Sequence, residues 1–324
     1  MNEYEDRERL QAIADSDFTV PEGMNPSEMI PTLIEALGSL DQKDRDLGSE
    51  ILEMWSVLGH FSDDDLRKLG DQLADSLGHG IGEDTSDSVF TRSYSSLALC
   101  GTLATEELFV GGFVANRSSF LTPDQVRRWL YQALASFGEE VDLRVLVDGK
   151  GCADAVSHMG DLLHVFARNP HVGVEELEQI LRAVANRLQR SSSEVFLFDE
   201  GYRLMRAACS VMLRNELPLE TLASWIKSFA KTADGREWGF GSLYSYEHCD
   251  VPALVIRVNV REALRNLQIL LQYGMRRQQS ELDVENAYNA YYDRPVQNQQ
   301  ELLASVDHVL RILYKGVYPS EASS

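Results

Sequence analysis

The sequence predicts an all-α protein folded as a HEAT-like α-α superhelix, a stack of antiparallel helix pairs. Apolar residues recur at helical spacing along nearly the whole chain and almost never alternate strictly with polar ones. The segments between the periodic stretches are mostly short, which favours antiparallel packing of successive helices. Pairing the predicted helices in order gives units of about forty residues, the length of HEAT repeats, although no consensus recurs between units.

The first three helices illustrate the pattern. Residues 27–37 place apolar side chains on one face, and Gly38 follows as a stop signal. Residues 43–58 form the antiparallel partner of this helix. A third helix begins at Ser62, where Asp65 three residues later makes a near-match to a capping box.

The same reasoning gives about a dozen helices over the whole chain. The remaining ones are predicted at residues 87–103, 105–118, 122–137, 152–168, 174–189, 200–214, 218–231, 253–272 and 301–314. Three stretches interrupt the pattern and are predicted to be linkers or insertions: 17–25, 235–252 and 278–300. We therefore expect an N-terminal segment (1–25), a helical-repeat domain (26–276) and a C-terminal extension (277–324) with one amphipathic helix.

Charge excludes two classes of partner. The 324 residues contain 30 Lys and Arg against 51 Asp and Glu, a formal net charge of -21. Such an acidic protein is repelled by nucleic-acid phosphates and by anionic lipid. Its basic residues form no cluster longer than an adjacent pair. Neither nucleic acid nor a membrane is therefore expected as a partner.

The chain contains no apolar run of about eighteen residues, and acidic rather than basic residues follow Met1. We expect neither a membrane span nor a secretory leader. The four cysteines are Cys100, Cys152, Cys209 and Cys249. They lie far apart and form no CxxC pair, which would suggest zinc binding or redox exchange. Reduced thiols in the cytoplasm are the expectation.

The segment from residue 142 to 169 carries the main candidate site. On a helical wheel Asp154, His158 and Asp161 share one narrow stripe, and His164 lies one turn farther along. Two carboxylates and an imidazole in this arrangement could bind a divalent metal, or provide a general base with an orienting acid. The alternative is that the stripe is the ordinary solvated face of an amphipathic helix.

A Gly-Lys-Gly turn precedes that helix. The backbone N–H groups of Gly149 to Gly151, together with the Lys150 ammonium, could bind a phosphate or carboxylate near a helix N-terminus. However, no GxxxxGK[ST] pattern is present. The alternative is that these glycines only allow the chain to turn tightly into the helix.

A second candidate is Arg92, which lies among apolar residues near the start of the predicted 87–103 helix. A buried arginine needs a carboxylate partner, because a buried unpaired charge costs several kcal/mol. We expect Asp199 or Glu200 to provide it. His248 and Cys249, in the aromatic-rich stretch 235–252, could belong to a ligand lid or a partner contact, or could simply pack the loop onto the helices.

Three segments carry a resemblance to a known family: SDSVFTRSYSSLAL, DLRVLVDGKGCADAVSHMGDLLHVFARNP and EVFLFDEGYRLMRAA. In order and spacing they resemble the bacterial family known as domain of unknown function 2785, over about residues 26–276. The tryptophan of the family pattern is replaced by Cys152 and its first histidine by Asp154, whereas its second histidine is kept as His158. The resemblance implies a helical fold and characteristic positions, but no reaction.

No GxSxG, HExxH or GxGxxG motif is present. The leading hypothesis is therefore a non-catalytic protein-interaction scaffold with an unidentified protein partner. No cofactor and no oligomeric state can be assigned. The alternative is a small-molecule-binding protein or metal-dependent enzyme, in which one pocket gathers Arg92, Lys150, Asp154, His158, Asp161 and Asp199, with His158, Asp161 and His164 as possible metal ligands.

Overall fold

The structure is a computed structural model that describes residues 3–112, 114, 116–190, 194–238, 250–275 and 291–314. Its described residues form twelve α-helices, one short 3₁₀ helix and one two-stranded ribbon, so the predicted all-α class is confirmed. The chain divides into two compact units at Val172 and Gly173, which we call the N-terminal and C-terminal units. None of the described helices is long and apolar enough to cross a membrane.

The N-terminal unit contains seven helices and the ribbon. These are α1 (Glu3–Asp15), α2 (Pro26–Ala36), α3 (Gln42–Val57), α4 (Asp63–Ser76), α5 (Ser88–Val110), α6 (Pro123–Glu139), β1 (Leu146–Val147), β2 (Gly151–Cys152) and α7 (Ala155–Arg168). Helix α5 is central, because α3, α4 and α7 all pack against it. Its long buried face includes Val89, Phe90, Leu99 and Leu103.

Local capping explains several helix starts. The Ser62 hydroxyl accepts from the N–H of Asp65, and the Asp65 carboxylate accepts from the N–H of Ser62, which confirms the predicted capping box of α4. Thr122 and Gln125 form the same reciprocal arrangement at α6, with Pro123 in the first turn. These caps satisfy N–H groups that no helical carbonyl can reach.

The structure corrects three predicted boundaries. Residues 87–103 and 105–118 were expected to form two helices, but α5 is continuous to Val110 and ends at the glycine pair Gly111–Gly112. Thr102 and Thr105 lie within α5, where their hydroxyls bond back to carbonyls one turn earlier. In addition, α1 lies within the predicted N-terminal segment. The α-helix predicted at residues 218–231 already ends at Lys227.

One close approach holds α4 against α6. Gly70 of α4 faces the six-membered ring of Trp129, a fully buried side chain of α6. The indole Nε1 donates to Asp71 Oδ1 at 2.7 Å, which fixes the ring in place. A side chain larger than hydrogen at position 70 would therefore overlap the ring.

The C-terminal unit contains α8 (Val174–Gln189), α9 (Glu200–Leu213), α10 (Leu219–Lys227), the 3₁₀ helix (Ser228–Ala230), α11 (Val251–Tyr273) and α12 (Gln299–Leu313). Helix α11 packs against α8, α9 and α12, and α12 also packs against α10. Most of the predicted insertions 235–252 and 278–300, with His248 and Cys249, lies outside the described residues.

Candidate functional site

The Gly-Lys-Gly turn forms a ribbon instead of leading directly into a helix. Leu146 and Val147 pair antiparallel with Cys152 and Gly151, so the predicted start of the helix at residue 152 is wrong and α7 begins at Ala155. Gly151 adopts φ +80° and lies against the Gln42 side chain, whose Oε1 accepts from the N–H of Cys152 at 3.2 Å. The position therefore requires glycine for both space and backbone conformation.

Arg45 of α3 binds backbone carbonyl groups of this ribbon. Its guanidinium is fully buried and donates to the carbonyl of Ser39 at 2.7 Å, of Lys150 at 2.6 Å and of Cys152 at 3.0 Å. The same group lies over the rings of Phe90 and Tyr94, 4.0 and 5.1 Å from their centroids. Among the described residues Arg45 has no carboxylate partner, so carbonyl dipoles and ring faces stabilise its charge.

His158 is oriented by a buried hydroxyl. Its Nδ1 lies 2.8 Å from Ser93 Oγ, and the same hydroxyl bonds to the carbonyl of Ala153. Because a carbonyl only accepts, the Ser93 proton is directed to it, and Nδ1–H of His158 donates to Ser93. The Nε2 atom of His158 then carries the lone pair of the neutral ring. Ser93 is buried and acts as an orienting group.

Next to His158, Tyr94 connects α5 to an acidic row on α3. Its hydroxyl donates to Asp46 Oδ1 at 3.0 Å, and its ring meets the His158 ring edge-on with centroids 5.6 Å apart. Burial and the nearby Asp46 raise the pKa of Tyr94, which therefore remains a protonated donor at neutral pH. One and two turns farther along α3 are Glu50 and Glu53.

Both glutamates have raised pKa values. Desolvation by the surrounding protein is the larger cause, and the nearby Asp46 and Glu50 carboxylates add to the shift of Glu50 and Glu53, respectively. Both side chains are nevertheless exposed, so solvent screens these effects. Neither glutamate makes an ion pair or hydrogen bond within the described residues. The row is thus an uncompensated patch of negative charge.

Asp154 and Asp161, the carboxylates of the predicted stripe, are not on an open face. Asp154 is half-buried, and its φ of 48° is left-handed, a conformation that is uncommon for residues other than glycine. It precedes α7 without capping it, and its Oδ1 atom is buried with no hydrogen-bond partner among the described residues. Asp161 is only 7 % exposed.

His164 belongs to a different, buried network. It is 2 % exposed, and its Nε2 lies 3.1 Å from Arg168 Nη1. Since arginine only donates, Nε2 accepts and the proton of the neutral ring is on Nδ1. Arg168 also pairs with Glu107 at 3.0 Å, and burial raises the pKa of Glu107 while Arg168 opposes that shift. The described residues contain no group of three His, Cys, Asp or Glu placed to bind a metal.

Arg92 is buried, 2 % exposed, as expected, but its predicted partner is wrong. Its Nε and Nη2 donate to the two carboxylate oxygens of Glu140 at 2.7 and 2.9 Å. Nη1 donates to the carbonyl of His79 at 2.8 Å and to Ser88 Oγ at 2.8 Å. The whole guanidinium is thereby engaged in holding α5 to the end of α6, rather than with Asp199 or Glu200.

Lys150 and Asp199 complete the set of predicted site residues. Both carboxylate oxygens of Asp87 lie 2.6 Å from Lys150 Nζ, so the ammonium is matched by a carboxylate of its own unit. Asp199 is exposed and precedes α9 in the C-terminal unit.

The sequence reasoning missed six residues of this region, namely Arg45, Asp46, Glu50, Glu53, Ser93 and Tyr94. Ser93 and Tyr94 lie within the segment SDSVFTRSYSSLAL that carries the family resemblance, so that motif could have indicated them. The four residues of α3 gave no such signal, because charged side chains are ordinary in an amphipathic helix.

Comparison with known proteins gives one result. No curated protein and no solved structure matches the chain. A family model described as "protein of unknown function (DUF2785)" matches residues 77–267, more than half of the chain, and this confirms the resemblance. The matched part contains the ribbon, Ser93, Tyr94, Asp154 and His158. The chain therefore belongs to the DUF2785 family.

Proposed function

We propose that this protein is a binding protein whose small-ligand site surrounds His158 in the N-terminal unit. The site, called the His158 site below, consists of Asp46, Glu50, Glu53, Tyr94, Asp154 and His158. The observation that carries the proposal is Asp154, a non-glycine residue in a left-handed conformation with a buried carboxylate oxygen that has no partner in the described chain. Such strain costs about 1–3 kcal/mol and tends to persist at ligand sites.

The chemistry of the site favours a ligand with an amino or guanidino group. The Glu50 and Glu53 carboxylates repel each other, and a bound cation would remove that repulsion. Asp46, which accepts from the Tyr94 hydroxyl, extends this acidic row toward the Tyr94 and His158 rings. The Glu50 and Glu53 carboxylates would thereby gain an ion pair that the described residues do not provide.

Binding is favoured over catalysis by the placement of Ser93 and His164. The Ser93–His158 distance resembles that of a nucleophile and its base, but Ser93 is buried and bonded to a carbonyl. His164, suggested as a metal ligand from the sequence, has Arg168 at its Nε2. No contact among the described residues therefore specifically supports the alternative of a metal-dependent enzyme.

A thermal-shift screen tests the proposal with arginine, agmatine and spermidine, and with citrulline and glutarate as neutral and anionic probes. We expect the cationic probes to raise the Tm, because a ligand at about one hundred times its Kd adds about 2.7 kcal/mol of stability. The increase should disappear in Glu53→Gln and His158→Ala. Glu220→Gln, at an exposed position of α10, is the control for net charge.

Two outcomes would contradict the proposal. One is the absence of any increase in Tm with the cationic probes. The other is an equal increase in the wild-type protein and in the Glu53→Gln and His158→Ala variants, which would indicate general screening of the acidic surface.

We further propose that the helix pairs follow a HEAT-like α-α superhelix, with residues 26–276 as the repeat domain and 277–324 as an extension of it. The packing of sequence neighbours against each other, α2 on α3 and α8 on α9, supports this reading. We also propose a cytoplasmic location, supported by the lack of any disulfide among Cys100, Cys152 and Cys209 in the described chain. A crystal structure and cell fractionation are the respective tests.

A further inference from the structure

A second surface lies in the C-terminal unit, in the segment 194–198 immediately before α9. Leu197 is 77 % exposed and Phe198 is 59 % exposed. They are the only two sequence neighbours among the large hydrophobic side chains that are exposed in the described chain. Single exposed hydrophobic residues are ordinary, but an adjacent pair on a fixed backbone is a feature of interaction sites.

The backbone that carries this pair is fixed by Asn259, a buried residue of α11. Its Nδ2 donates to the carbonyl of Glu194 at 3.0 Å, and its Oδ1 accepts from the N–H of Phe196 at 2.9 Å. One amide thus bonds the groups on either side of Val195, as a parallel strand would. Val195 is therefore extended, and its own N–H and C=O point away from Asn259.

The other end of the segment is fixed as well. The N–H of Phe198 donates to the carboxylate of Glu200, a buried residue of α9, at 2.9 Å. Leu197 and Phe198 are consequently presented on a backbone anchored before and after them. A partner binding here would not have to order the segment first, which lowers the entropic cost of binding.

Within the described residues, the outer edge of the segment has no strand or side chain bonded to it. The backbone N–H and C=O groups of Val195 and Leu197 make no hydrogen bond in the described chain. Because Asn259 occupies the opposite edge, a further strand could add only on the outer one. Unpaired strand edges of this kind are sites at which another chain can pair.

We propose that the segment 194–198 is a docking edge for an extended, apolar and basic peptide segment of a partner protein. The apolar part would pack on Leu197 and Phe198 while its backbone pairs with the open edge. The basic part follows from charge: Asp199, beside the pair, is exposed and makes no ion pair within the described residues, and the whole chain carries -21. A second copy of this chain would bring the same charge and be repelled.

A displayed-peptide library selected on the full-length protein tests the proposal, with counter-selection on a Leu197→Ser/Phe198→Ser double variant. Both side chains are exposed, so the variant should fold normally. We expect enrichment of peptides that alternate apolar residues with Lys or Arg. The Kd of the consensus peptide, measured by fluorescence anisotropy, should rise by about tenfold or more in the double variant, as for anchors of a small interface.

Two further variants distinguish binding at this edge from non-specific hydrophobic binding. Asn259→Ala keeps Leu197 and Phe198 but loosens the backbone, and should also weaken binding. An Ile269→Ser/Tyr273→Ser variant removes exposed apolar groups of α11 and should leave the Kd unchanged. Three results would overturn the proposal. The selected peptides could show no enrichment over the counter-selected pool, their consensus could be acidic, or the protein could form a dimer that the double variant abolishes. None of these outcomes bears on the His158 site.

Discussion

The Arg92–Glu140 pair offers the sharpest test of the contacts described above. Glu140 is 4 % exposed and receives two hydrogen bonds from Arg92, and its Oε1 also accepts from the N–H groups of Val141 and Asp142. Glu140→Gln preserves the shape but removes the charge, so the Arg92 guanidinium remains buried without a counter-ion. Breaking a buried pair in this way costs about 3–5 kcal/mol.

That loss should be visible by calorimetry. For a unit of this size about 2–4 °C of Tm corresponds to 1 kcal/mol, so the transition of the N-terminal unit should fall by about 6–20 °C. Asp199→Asn, which alters the exposed carboxylate expected from the sequence to pair with Arg92, should change stability by less than about 0.5 kcal/mol. Arg92→Met combined with Glu140→Gln should recover part of the loss, because no uncompensated charge remains.

An unchanged Tm in Glu140→Gln would refute the reasoning that this pair is a structural contact of the buried interior. A comparable loss in Asp199→Asn would instead favour the partner expected from the sequence.

Three other changes have clear expected results. Gly70→Ala should destabilise the N-terminal unit by about 1–3 kcal/mol in urea unfolding, the usual cost of overpacking a core, because the new Cβ overlaps the fixed ring of Trp129. An unchanged midpoint would show that the ring can move. Glu53→Gln should raise the Tm at pH 7 but not near pH 4. The folded-state pKa of Glu53 is raised, so the wild-type protein has the full stability below the unfolded-state pKa and loses part of it as the pH rises through the folded-state pKa, whereas glutamine stays uncharged. The same gain at both pH values would contradict this. Arg45→Met should speed the alkylation of Cys152 by iodoacetamide, followed by mass spectrometry, because the carbonyl of Cys152 loses its anchor; unchanged labelling would mean that Arg45 does not hold the ribbon.

Helices with strong local signals could be predicted from the sequence. The helix Val174–Gln189 has the predicted boundaries, and α4 begins at the predicted capping box. The break expected near residue 104 is absent, because packing against α3, α4 and α7 stabilises α5 along its length and overrides local preference. The ribbon was missed for a related reason: two-residue strands have no periodicity, and Arg45 and Gln42 provide much of what holds them.

The candidate site could be predicted only in part. Helical periodicity brought Asp154, His158 and Asp161 onto one stripe, since it depends on local spacing alone. It could not indicate Ser93, which lies 65 positions from His158, or Glu140, which lies 48 from Arg92. Such contacts depend on how α5 packs against other helices of its unit, which local spacing does not indicate. For Arg92 the sequence requirement for a carboxylate was right, and only the choice of carboxylate was wrong.

The continuity of α5 limits how this family can vary in length. Arg92, Tyr94 and Glu107 share one rigid rod of 23 residues, about 34 Å long at 1.5 Å per residue. Inserting or deleting one residue in its middle would rotate one end against the other by about 100°. Arg92 could then still meet Glu140 only if Glu107 turned away from Arg168. We therefore expect members of the family to tolerate substitutions within Ser88–Val110 more readily than changes in its length.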